Sequence, residues 1–226
     1  MVQYIKGQTL KEALELFEPR ESLDKQFQEL AKYFLYGGYI HVNSDGITKI
    51  DRKIYIREVE FYFYDETHKL TDKKDESAIK VYHRNNSKYY SKVPCNPKLP
   101  IGKETHYFKK GSLYLHSSGV DITFENYNNM YRASALIRAF SVEEKVGDKY
   151  ELLPLYIKDG QDNNIDTRST YIYEYLFEGL SLFDDTNYSI RWMPIEIDAN
   201  IIPNLEGKKR VNYPGKMWRF VWKEIG

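Results

Sequence analysis

Ile54-Tyr-Ile-Arg-Glu58-Val-Glu60-Phe-Tyr62-Phe-Tyr64 reads as a strand that carries carboxylates among branched and aromatic residues. Val59, Phe61 and Phe63 recur at period two and predict a core face. The other parity holds Ile54, Ile56, Glu58, Glu60, Tyr62 and Tyr64, which the alternation predicts on the opposite face. Glu60, wedged between Val59 and Phe61 with Tyr62 beside it, is expected to be partly desolvated. Desolvation disfavours the charged form of a carboxyl group, which is how proteins fit one for proton transfer near neutral pH. The plainer alternative is a strand at a sheet edge with both Glu side chains in water.

Outward from this strand, the chain supplies partners of several kinds. On the N-terminal side, Thr9-Leu-Lys-Glu12 is a capping-box pattern, and Leu10, Ala13, Leu14 and Phe17 follow at helical spacing until Pro19. Ser22 opens a second helix with Leu23, Phe27, Leu30, Ala31 and Phe34 on one side, ended by Gly37-Gly38. Tyr39 to Val42 reads as a strand, turned at Asn43-Ser-Asp-Gly46. On the C-terminal side, residues 65–110 are polar and proline-broken and predict long excursions. Leu113-Tyr-Leu-His116 and Val120 to Phe124 follow as strand pieces about a bend. Ala133 to Phe140 is a further strand, apolar but for Ser134 and Arg138. Arg138 is the second misplaced charge, since a buried Arg needs an anion. Ile172, Tyr175, Leu176 and Leu180 suit a helix, and 188–197 and 218–222 read as late strands.

The expected fold is α+β: a mixed, mostly antiparallel sheet or partly open β-barrel with helices packed outside. The 226 residues predict a single domain over 1–226, with its core at roughly 22–223. Formal net charge is zero, so no overall basic field points to nucleic acid. Basic residues cluster at 73–92 and 208–223, and a solvated face is the ordinary meaning of such runs. The single cysteine, Cys95, excludes an internal disulfide and a cysteine-based zinc framework. The histidines show no metal-ligand spacing, and no cofactor is expected. No run is apolar enough for a secretory leader or a membrane span, so a cytoplasmic protein without a membrane partner, and a monomer, is expected.

Taken in order, a leucine-rich helix running into Ile40-His-Val42 is followed by the Glu60-Phe-Tyr62 strand. Gly111-Ser-Leu-Tyr114 and Leu136-Ile-Arg138-Ala139 come next. This sequence of motifs resembles the alkyladenine (3-methyladenine) DNA glycosylase family, over roughly residues 25–223. Near the C-terminus, Tyr175 to Phe183, Arg210-Val211 and Arg219-Phe220 extend the likeness.

The resemblance implies a monofunctional N-glycosidase that excises a flipped, damaged base in base excision repair. Its partner would be DNA, duplex or single-stranded, or a nucleobase or nucleoside. Glu60 matches the family's general base, which activates water against the sugar C1′. Tyr62 matches the residue that stacks on the extruded base, and Arg138 the one that holds the water and backbone. Tyr114 falls in the family's Gly-Thr-Leu-Tyr strand, and His116 stands where the family has a second stacking Tyr. His68 or His83 would supply the pocket histidine. Where the family has an intercalating Tyr before a Gly, this chain has Ser117-Ser118-Gly119.

The chemistry also reads without the analogy: base displacement wants an anion near C1′, a base for water, and aromatic walls. His116 and Asp121 share the polar parity of their strands and either line the same pocket or face solvent. Arg138 either acts beside Glu60 or is a structural partner of Glu58 or Glu60, and Tyr62 either stacks on a ligand or packs on the sheet. A non-catalytic nucleic-acid or nucleobase binding module on the same fold is the alternative, as is an N-glycosidase for nucleosides or single strands.

Overall fold

The computed structural model describes residues 8–20, 22–46, 49–65, 67, 69–71, 75, 107–154, 164–180, 187–196, 198–211 and 215–225. Thr9 caps α1 (Leu10–Glu15) by the reciprocal capping box read from the sequence. α2 (Leu23–Tyr36) ends at Gly37. The strands are β1 (Gly38–Ser44), β2 (Ile50–Asp65), β3 (Leu113–His116), β4 (Gly119–Thr123), β5 (Tyr131–Val146), β6 (Lys149–Leu152), β7 (Tyr188–Pro194) and β8 (Arg219–Val221). A short helix, α3 (Ile172–Phe177), lies between β6 and β7. Leu180 falls beyond α3 and is exposed.

The sheet runs β3-β4-β5-β2-β1-β7 and curls into a half-barrel. Every pairing among these strands is antiparallel. β6 extends the far end of β5, and β8 pairs with β2 at Glu58–Glu60, beyond the point where β1 stops. The core face meets α2, whose Phe27 stacks on Phe61 at 4.8 Å and meets Trp218 edge-on. Residues off the main stripe of α2, Leu35 and Tyr36, are buried too, so the helix is more enclosed than its amphipathic pattern requires. No described helix is long and apolar enough to cross a membrane.

β2 departs from the unbroken alternation expected of it. Ile54 and Ile56 do not share a face with Glu58 and Glu60; they belong to the same core as Val59, Phe61 and Phe63. The cause is a pair of β-bulges. Ile56 faces Phe140, Glu58 faces Ala139 and Val59 faces Ile137, which leaves Arg57 extra on β2 and Arg138 extra on β5. Each extra residue switches the parity of its strand. Asp51, Lys53, Tyr55 and Arg57 therefore lie on the same outward face as Glu58, Glu60, Tyr62 and Tyr64.

A candidate active site on the outward face

Cross-strand register places Asp121, Leu136, Glu60 and Arg219 side by side across four strands, β4, β5, β2 and β8. The next row holds Thr123, Ser134 and Tyr62. Directly opposed residues point to the same side of a sheet, so these rows form one surface patch, away from the phenylalanine core. Tyr62, Tyr64 and Leu136 make a small apolar cluster of their own there. The segment Lys208–Val211, bridged to Arg219 through Lys208, closes over the patch.

Glu60 has no solvent exposure. A carboxylate in that position must be compensated, because desolvation of an unpaired charge costs several kcal/mol or more. Tyr62 donates its hydroxyl to Oε1. The Val211 N–H donates to Oε2 at 3.2 Å, and Arg138 Nε stands 3.7 Å from the same oxygen. Arg210, almost wholly buried, sits with Cζ 5.2 Å from the Tyr62 ring centroid and 5.7 Å from that of Trp218. Arg219 binds Glu58 through Nε and adds positive potential near Glu60, its own pKa raised chiefly by that hydrogen bond. Burial, followed by the charge of Glu60 and the bond to it, holds the Tyr62 phenol far above its ordinary pKa. Tyr62 is therefore a donor at every physiological pH.

A second group lies one strand further along. Asp121, buried, accepts from Ser134 Oγ at 2.9 Å on Oδ2, and its Oδ1 lies 3.0 Å from His116 Nε2. The Ser118 N–H points at His116 Nδ1 at 3.3 Å. Nδ1 is thus the acceptor and the hydrogen-bond pattern assigns the proton to Nε2, aimed at Asp121. Tyr114 stacks on the imidazole at 5.5 Å. The β3–β4 hairpin carrying these groups is held by Tyr173, whose hydroxyl accepts the His116 N–H at 2.9 Å and lies between the carbonyls of His116 and Gly119. Gly119 has φ +128°, and a Cβ there would meet the Ser169 carbonyl at 2.8 Å, so the close approach of that loop requires glycine.

The structure thus brings Glu60, Tyr62 and Arg138 together, and His116, Asp121 and Tyr114 into a neighbouring group on the same face. His68 and His83 lie outside the described residues. Arg210 and Ser134, both noted in the sequence, were given no role in the site there, and the expectation of a solvated basic face fails for Arg210, which is buried, and for Arg219, which is bonded to Glu58. Lys208 and Lys209 in the same run are exposed. Nothing in a Lys-Lys-Arg run marks which residue turns inward. Ser134 carried a signal, as a hydroxyl in an apolar strand. Among the described residues, no three His, Cys, Asp or Glu side chains are grouped so that they could hold a metal ion. No protein-family model, curated protein or solved structure matches the chain.

Proposed function

We propose that this chain is a hydrolytic N-glycosidase that removes a modified or damaged nucleobase, with Glu60 as the carboxylate that activates water. The observation supporting it is the meeting of Glu60, Tyr62 and Arg138, from two different strands, around one buried carboxylate. These are the three positions to which the glycosylase resemblance assigns base, stacking residue and water-holding arginine.

Loss of a base leaves an oxocarbenium-like sugar, which an adjacent carboxylate stabilises while it takes a proton from water. In this reading a water exchanges for the Tyr62 hydroxyl on Oε1, Arg138 orients it, and the freed ring turns to the base. His116, fixed as the Nε2–H tautomer by Ser118 and Asp121, and Tyr114 stacked on it contribute the far wall.

The test is base release from single- and double-stranded oligonucleotides carrying methylated, deaminated and ethenoadenine bases, comparing wild type with Glu60→Gln. Wild type is expected to release base. The variant should fold, lose about 1–3 kcal/mol because the amide offers one acceptor oxygen where the carboxylate offers two and leaves Arg138 without its anion, and release none. Full activity in Glu60→Gln would falsify the mechanism.

One observation favours a second reading, a binding module without catalysis: Glu60 is wholly enclosed and both its oxygens are already engaged. That reading predicts ligand binding by both proteins and product from neither.

A further inference from the structure

The paired bulges make the outward face continuous. Its N-terminal half, formed by β7, β1, β2, β5 and β6, is open where the Glu60 half is covered. Here aromatic rings and cations interleave. Lys53 Nζ lies 3.6 Å from the Tyr150 centroid and 5.4 Å from that of Tyr39. Arg57 Cζ lies 4.1 Å over Trp222 and 5.3 Å over Tyr55. All six of these side chains belong to half-buried residues. Lys145 and Arg191 add two cations in register, against the two carboxylates Asp51 and Glu143. Among the described residues this half thus holds four cations to two carboxylates, with Lys53 3.9 Å from Glu143 and Lys145 3.5 Å from Asp51.

At the boundary between the halves, a cavity of about 310 Å³ opens at the bulge, with Arg57, Glu58, Thr167 and Trp222 in its wall. That is the small end of the range for ligand pockets. Glu58 precedes Glu60 by two residues on the same face, a separation of about 7 Å along a strand.

We propose that the open half is a platform for single-stranded nucleic acid, and that the bulge cavity is the port through which one base is presented toward Glu60. The platform stands on its own geometry; the port rests on the N-glycosidase reading. Flat aromatic groups set among cations suit a strand whose bases expose their faces, since bases stack on the rings while Lys and Arg meet phosphates. A duplex hides those faces and offers only edges and phosphates. The modest excess of positive charge suits a short strand held as much by stacking as by charge.

Fluorescence anisotropy with a labelled oligothymidylate of about a dozen nucleotides tests the platform, with the same length of duplex as competitor. Wild type should bind the single strand at least about tenfold more tightly than the duplex. Lys53→Glu and Tyr150→Ala should each weaken it by about tenfold, with unchanged circular dichroism. Lys145→Glu, at a more exposed position, gives the same readout should either fold poorly. If three phosphates are neutralised, raising salt from about 50 to about 200 mM should weaken binding by about 20-fold. Absence of single-strand binding, equal binding of duplex, or platform variants that bind like wild type would each overturn the proposal.

The two proposals fail separately. Tight binding by wild type and Glu60→Gln with no base released by either keeps the platform and removes the glycosidase. Base release by wild type that Lys53→Glu and Tyr150→Ala leave untouched does the reverse.

Discussion

The hydroxyl of Tyr62 ties the ring to the carboxylate it shares a face with, so removing one oxygen should be felt at both. Tyr62→Phe deletes the donor to Glu60 Oε1 and leaves a buried carboxylate oxygen short of a partner. A cost of about 1–3 kcal/mol is expected in urea unfolding at neutral pH. A variant as stable as wild type would mean that Arg138 and Arg210 compensate the charge without the phenol. Single residues were legible in the sequence where they broke a pattern. Glu60 and Arg138 stood out as charges in apolar strands, and each is near the other. Arg210 broke no pattern, because burial of one arginine in a basic run depends on how a distant loop folds back onto Tyr62 and Trp218.

At the scale of elements, the exit from β2 depends on one side chain. Asp65 Oδ1 accepts from the N–H and hydroxyl of Thr67 at 2.9 and 2.7 Å, and Oδ2 from the N–H groups of Lys69 and Leu70, both at 2.9 Å. Burial pushes the Asp65 carboxyl up, but the bonds from Thr67, Leu70 and Lys69 together outweigh it and leave the pKa below its ordinary value. A depressed carboxyl pKa contributes stability that is full above the unfolded value and is lost as pH falls through the folded one. Asp65→Asn should therefore cost about 1–3 kcal/mol at neutral pH. The gap to wild type should narrow in acid, and a gap independent of pH would mean that the carboxylate charge contributes nothing to this turn. Element order, the Thr9 cap and most strand positions followed from periodicity and capping signals. The faces of Ile54 and Ile56 did not, because a bulge leaves no mark in composition: its position is set by pairing with a strand some eighty residues away. β6 was likewise missed, as a short, mostly exposed strand that, among the described strands, pairs with β5 alone.

For the whole molecule, tyrosine sets the alkaline limit. Burial holds Tyr62, Tyr131 and Tyr55 well above the ordinary value of 10.0, and Tyr150 is pushed up to about 12 by burial and its bond to Asp51. Unfolded tyrosines ionise first, so the unfolded state releases protons that the folded state retains. Stability is then complete below about pH 10 and falls as pH rises beyond it. In an alkaline titration, tyrosinate absorbance of the buried residues should rise together with loss of ellipticity. Ionisation of all tyrosines near pH 10 with the fold intact would show that burial of these phenols has been overstated.

The extra residues at the two bulges are both arginines, one reaching the open half of the outward face and the other Glu60. A chain two residues shorter, lacking Arg57 and Arg138, would run Ile56-Glu58-Val59 against Ile137-Ala139-Phe140 in unbroken alternation, with every other cross-strand partner kept. Strand register alone therefore needs neither; what they add is contacts, the Arg57 carbonyl accepting the Trp222 N–H at 2.7 Å and Arg138 standing 3.7 Å from the buried Glu60. Removing both would keep the pairing but free the Trp222 N–H and leave the buried Glu60 without the guanidinium beside it, so the irregularity belongs to the outward face and not to the sheet.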